Sequence, residues 1–247
     1  MKNFMKGLIV SGFALAFSAT ALADFSQPAN KQINITRING YFDGNGGEFK
    51  ITPLGGFANQ VIKGAASDID ANSFETFCVE FNENVNVPGV YWVDVNTFAT
   101  AGGLGGQDGN QGPGGSTSDT LDNRTAYLYS QFRNQALAGY NYTPGPNREF
   151  SARALQLAVW YLEGEGWHAS AGSPLRIQAE AWVSAANAWK AQNPNAGIGD
   201  VRIMNLWSDA DRSGRSQDQL VTVPAPAAAV LGAMGLAMAR MLKRRSA

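Results

Sequence analysis

The sequence predicts an α+β fold, a β-sandwich or barrel-like domain carrying an inserted helical subdomain. Three observations predict it. Short runs with a period of two, the signature of half-buried strands, occur on both sides of a central region with helical periodicity. The strand-forming parts are rich in the Gly, Asn and Asp that hairpins need. Both ends are apolar helical segments of a different character, so the folded domain is expected over 24–220 with helices at about 119–190.

From Gln32 to Ile38, Ile33 and Ile35 alternate with Asn34 and Thr36, predicting a strand. Asp43-Gly44-Asn45-Gly46-Gly47 is a turn, and Glu48 to Ile51 restarts an extended run, so the two form a hairpin. Phe74 to Phe81 is read as the next strand, with Phe77, Val79 and Phe81 on one face and Thr76, Cys78 and Glu80 on the other. A further strand follows the turn at Val87-Pro88-Gly89. Ala101 to Ser118 is a Gly-rich loop with no Gly-Lys-Ser/Thr, which argues against a nucleotide site.

Leu121, Thr125, Leu128 and Phe132 then recur at helical spacing, from an N-cap at Ser118 or Asp119 to a stop at Gly139. A second helix is expected over Asn147 to Glu163 with Gln156 inside it; apolar residues on both faces imply burial between two layers. Ser173-Pro174 opens a third helix by the N-cap and N1 rule, ending near Lys190. Val201 to Trp207 reads as a strand.

At the start of the chain, Lys2 and Lys6 precede an apolar stretch that ends in Ala21-Leu22-Ala23. This is the pattern of a secretory signal peptide, residues 1–23, whose apolar stretch from Gly7 to Phe17 is too short to be a membrane span. At the other end, Val223-Pro224-Ala225-Pro226 leads into an apolar run closed by Arg240, Lys243, Arg244 and Arg245. The basic cluster would stay on the cytoplasmic side of a membrane and hold the tail there transiently. This tail, residues 221–247, resembles the PEP-CTERM sorting signal of Gram-negative bacteria, with Ala225 where that family has Glu. The resemblance implies an exosortase-type enzyme of the inner membrane as partner. It also implies a final location on the outer surface or in the extracellular matrix.

The 28 glycines, a net charge of −1 and a single cysteine bound the function further. No basic block exists in the central region, so nucleic acid is excluded as a partner. A lone cysteine in an oxidising compartment cannot close an internal disulfide. His168, the only histidine, excludes a multi-histidine zinc site. Asp209-Ala210-Asp211-Arg212-Ser213-Gly214 begins like a Ca²⁺ loop but has Leu220 where Glu is needed, and reads as a polar turn. Glu163 and Glu165 read as a solvated helix end, and no cofactor or metal is expected.

Two motifs remain. Thr76-Phe77-Cys78-Val79-Glu80 holds the cysteine, and Gln156-Leu157-Ala158-Val159-Trp160 places a glutamine in an apolar helix. Together they resemble the two halves of the intramolecular thioester domain of bacterial surface adhesins, an aromatic-Cys-aliphatic-acid motif and a Gln-x-Ala-Ile/Val-Trp motif. Thr125-Ala126-Tyr127-Leu128-Tyr129 resembles the helix between them. The resemblance implies a Cys78–Gln156 thioester that acylates an amine on a surface or matrix component in a single turnover, without being an enzyme in the ordinary sense. Glu80 is the candidate for proton transfer and Trp160 for shielding the bond from water. The competing reading is a non-reactive structural or glycan-binding matrix protein, and a secreted hydrolase is a third.

Overall fold

The computed structural model describes residues 31–64, 70–100 and 118–224. The signal segment, most of the Gly-rich loop, Pro226 and the cluster Arg240, Lys243, Arg244 and Arg245 lie outside the described residues. Among the described residues no helix is long and apolar enough to cross a membrane.

The fold is α+β, a curled antiparallel sheet with three helices. The strands are β1 (Gln32–Asp43), β2 (Gly46–Leu54), β3 (Phe74–Thr76), β4 (Gly89–Asn96), β5 (Phe98–Ala99), β6 (Asp119–Thr120), β7 (Val201–Trp207) and β8 (Arg215–Thr222). The helices α1 (Asn123–Arg133), α2 (Pro146–Leu162) and α3 (Pro174–Gln192) all fall between β6 and β7. The main sheet runs β3-β2-β1-β4-β7-β8, and β5 and β6 pair separately.

The curl follows from where the apolar side chains go. All six strands of the main sheet feed one buried cluster, among them Ile33, Phe49, Phe74, Val93, Met204 and Val221. One cluster touching both edge strands and everything between them requires a sheet that bends around it. The edges in fact meet. Past Thr76 the chain leaves β2 and bonds to β8: Leu220 N–H donates to Phe77 O at 3.0 Å and Val79 N–H to Asp218 O at 3.2 Å. The alternate residues of the strands, Val201, Ile203 and Leu220, face the second cluster, which the helices build with Leu128, Leu157 and Trp182.

Several expectations are corrected here. The strand expected over Phe74 to Phe81 pairs as β3 for three residues only, and Phe77, Cys78 and Val79 all enter the helical core cluster. The segment runs between the sheet edge and the helices, so burial on both sides erases the two-face pattern. Helix α1 starts later than its periodicity implies, because Asp122, not Ser118 or Asp119, caps it by accepting from Arg124 N at 2.7 Å. Strand β8 has no counterpart among the expected elements. Val223 is buried in the sheet cluster and donates its N–H to Asp200 O at 2.9 Å, so the folded domain extends past the boundary expected at 220. Of the expected sorting motif, Val223 thus belongs to the fold, while Pro224 is exposed and stands clear of it.

Glu163 and Glu165 are both buried rather than solvated. Glu165 accepts from Phe81 N–H at 3.0 Å, while Glu163 sits at the C-terminus of α2 and accepts from Asp122 N–H at 3.3 Å. Burial, with Asp122 and Asp119 adding like charge, raises the Glu163 carboxyl well above its ordinary 4.5. A carboxyl raised on folding contributes its full stability below the unfolded value and loses it as pH rises through the folded one. Glu163→Gln should therefore be more stable than the wild type at neutral and alkaline pH. It should also remove a slope of up to about 1.4 kcal/mol per pH unit from the stability curve above pH 4.5. Denaturant titrations across pH 4–9 check this.

Candidate functional site

Four separate pieces of chain meet around Cys78 and its cover. The first is the stretch after β3, held in register by a bridge between Cys78 and Gln219 of β8, the second piece. The third is α2, which presents Gln156 and, one turn on, Trp160. The fourth is the β1–β2 hairpin. Its two-residue turn, Gly44-Asn45, needs a positive φ at Gly44. The next two glycines, Gly46 and Gly47, serve the site instead.

Cys78 Sγ lies 3.3 Å from Gln156 Oε1. A carbonyl bond is about 1.23 Å long, so the sulfur is within about 4.5 Å of the carbonyl carbon Cδ. The amide is held rigidly. Gln156 Oε1 accepts from Gly47 N–H at 2.9 Å and from Cys78 N–H at 3.3 Å, while Gln156 Nε2 donates to Cys78 O at 2.8 Å. The network fixes which end of the carboxamide is oxygen. It also aims two backbone N–H groups at the oxygen that would become negative if a nucleophile added to Cδ. The Gly47 donor is the part of the site that the motifs do not specify.

Cys78 and Gln156 are fully buried and Trp160 nearly so. A Cβ at Gly46 would press on the edge of the Trp160 ring and sit 2.8 Å from Gln156 Cγ, so the hairpin backbone lies flush on both side chains. Trp160 also packs edge-on against Phe81, with ring centroids 5.0 Å apart. Phe81 in turn stacks on His168 at 3.3 Å, and His168 Nε2 is 2.8 Å from Glu165 O. His168, itself half-buried, is thus part of the packed cover over the site.

Burial pushes the Cys78 thiol well above its ordinary range; Trp160 beside the sulfur offsets this in part, and the negative charge of Glu80 adds to it. The thiol therefore stands protonated at neutral pH. Glu80 is buried, but neither of its carboxylate oxygens bonds to Cys78 or Gln156. It acts on the sulfur through its field, and its carboxylate lies among those of Glu83 and Asp218.

Beneath the hairpin lies a buried ionic cluster. Arg148 pairs with Glu48 and, at 3.1 Å, with Glu75; Arg133 reaches Glu75 at 3.2 Å; Tyr140 donates its hydroxyl to Glu48 at 2.5 Å. Glu48 is the residue after Gly47, so this cluster fixes the height of the hairpin over α2. The expected polar turn at Asp209–Gly214 is tied to β4 by Arg212 pairing with Asp94 at 3.0 Å.

No family model, curated protein or solved structure matches this chain. What defines the class of protein is geometry alone, an α+β domain with a buried cysteine–glutamine contact clamped between a sheet edge and a helix.

Proposed function

We propose that this is an exported surface or matrix protein whose barrel-like domain forms an internal thioester between Cys78 and Gln156. The observation that carries the reading is the 3.3 Å contact of Cys78 Sγ with a carboxamide oxygen already held by two backbone N–H donors. The thiol adds to Cδ of Gln156, its proton goes to the departing nitrogen, and ammonia leaves, which balances the step. The Gly47 and Cys78 amides stabilise the oxyanion, and the cover of Trp160, Phe81 and His168 keeps water from the product. Burial, with Asp218 and Glu83 beside it, raises the Glu80 carboxyl well above its ordinary value, and direct proton transfer to the site would require it to leave these neighbours.

An amine on a surface or matrix component would then attack Cδ and release the Cys78 thiol, leaving the protein attached through an amide. The tail beginning at Pro224 would serve sorting by an exosortase-type enzyme before that stage, with transient membrane contact. Incubation of the purified domain with a biotinylated primary amine tests acyl transfer. Label is expected on the peptide containing Gln156, and none in Cys78→Ala. Equal labelling of the two proteins, or of neither, would leave the non-reactive matrix reading in its place.

A specific observation favours that second reading. Tyr127 and Trp189 stack at 4.5 Å beside an open cleft of about 240 Å³ that also takes in Gln131 and Asp200. Aromatic faces beside polar groups suit a sugar ring. Loss of glycan retention in Trp189→Ala, with Cys78→Ala unaffected, would favour this reading over covalent attachment.

A further inference from the structure

Immediately after Cys78 the chain turns into a group of three acids from two places in the sequence, Glu80, Glu83 and Asp218. Their carboxylate oxygens lie within 4.8 Å of one another. Two oxygens bound to one Ca²⁺ at about 2.3–2.6 Å can be at most about 5 Å apart, so all three fit on a single coordination sphere.

Acidic clusters are common on protein surfaces, but two of these three acids are buried. Glu80 and Asp218 are only 2% exposed. Both carboxylate oxygens of Glu80 are buried without a hydrogen-bond partner. Among the described residues, no Lys or Arg forms an ion pair with any of the three. A buried carboxylate without a counter-charge is costly, and either a proton or a hard cation shared with the neighbouring acids relieves it.

The surrounding scaffold is rigid where a ligand set needs it. Asp218 is oriented by Asn205 Nδ2 at 2.7 Å, Thr100 N–H at 2.7 Å and Leu206 N–H at 3.2 Å. A lone pair remains on the oxygen that Leu206 bonds. Gln217 Nε2 donates to Glu80 O at 2.9 Å and Glu83 O at 3.0 Å, fixing the 80–83 turn against β8.

We propose that Glu80, Glu83 and Asp218 form a divalent-cation site selective for Ca²⁺, which locks the turn after Cys78 onto β8. A ligand set made of carboxylate oxygens suits Ca²⁺ over transition metals, and a half-exposed Glu83 leaves a route for the ion. The site is independent of thioester formation and should be present in Cys78→Ala as well.

The test is thermal unfolding of the EDTA-treated mature protein with Ca²⁺ added, together with calorimetric titration by CaCl₂. A one-to-one isotherm is expected. Tm should rise by about 5–10 °C when free Ca²⁺ is a hundred times Kd. Glu83→Gln, a half-exposed position that should not disturb folding, should abolish both signals, and Glu80→Gln should do the same. No Ca²⁺-dependent shift in the wild type would overturn the proposal, as would a shift that survives in Glu83→Gln. Neither result bears on the thioester, which a Ca²⁺-free sample of Cys78→Ala and wild type would still distinguish by mass.

Discussion

Arg148→Met is expected to destabilise the domain by about 3–5 kcal/mol, a large share of the stability of a domain this size. Arg148 is fully buried and is the cation shared by Glu48 and Glu75. Methionine fills much of the volume but strands two buried carboxylates, with only Arg133 and the Tyr140 hydroxyl left to serve them. Burial already raises the Glu48 carboxyl to about 7 against the pull of Arg148. Without that pull its folded value rises further, so the loss grows as pH goes up and shrinks toward pH 4.5, where Glu48 is neutral. Urea titrations at pH 5 and pH 8 check the size and the sign. A variant that melts within a degree or two of wild type at pH 8 would show that the cluster does not clamp the hairpin to the helices.

Gly46→Val is expected to abolish formation of the proposed Cys78–Gln156 thioester and to cost about 1–3 kcal/mol through overpacking. Its side chain would occupy the space now filled by the Trp160 ring edge and Gln156 Cγ. Displacing the glutamine breaks its bond to Gly47 N–H, and the amide loses the alignment that addition to Cδ requires. Gly44→Ala is the control: nothing lies within 4 Å of its Cβ, so strain at its positive φ is the only penalty. Bond formation should survive there. A thioester present in Gly46→Val at wild-type yield would remove the hairpin from the mechanism.

How much of this is legible in the sequence depends on where each signal resides. Helix α3 and strand β7 carry theirs locally, in Ser173-Pro174 and in the apolar run Val201 to Trp207, and both stand as read. Strand β8 does not. Gln217, Asp218 and Gln219 look like a polar loop, yet all three are buried, because partners distant in sequence (Glu80, Glu83, Thr100 and Asn205) satisfy the first two. The buried Glu48, Glu75, Arg133 and Arg148 are invisible for the same reason, since each charge looks solvated until its partner is placed.

At the candidate site, Cys78, Gln156 and Trp160 are marked by motif, and the structure sets them side by side. The Gly47 amide donor escapes the motifs, although a signal for it exists. A two-residue turn needs only Gly44 and Asn45, and the surplus Gly46-Gly47 pair points to a close backbone approach. The two-face pattern of Thr76 to Phe81 misleads because it assumes one solvated side, and Thr76 to Glu80 has none.

The intact mass of the purified mature protein, before and after methylamine, tests thioester formation most directly. The expected result is a deficit of about 17 Da for lost ammonia, converted by methylamine into an adduct on Gln156 and absent from Cys78→Ala. A full mass with Cys78 freely alkylated after unfolding would contradict it, and would leave the 3.3 Å contact as a hydrogen bond that only holds α2 to the sheet edge.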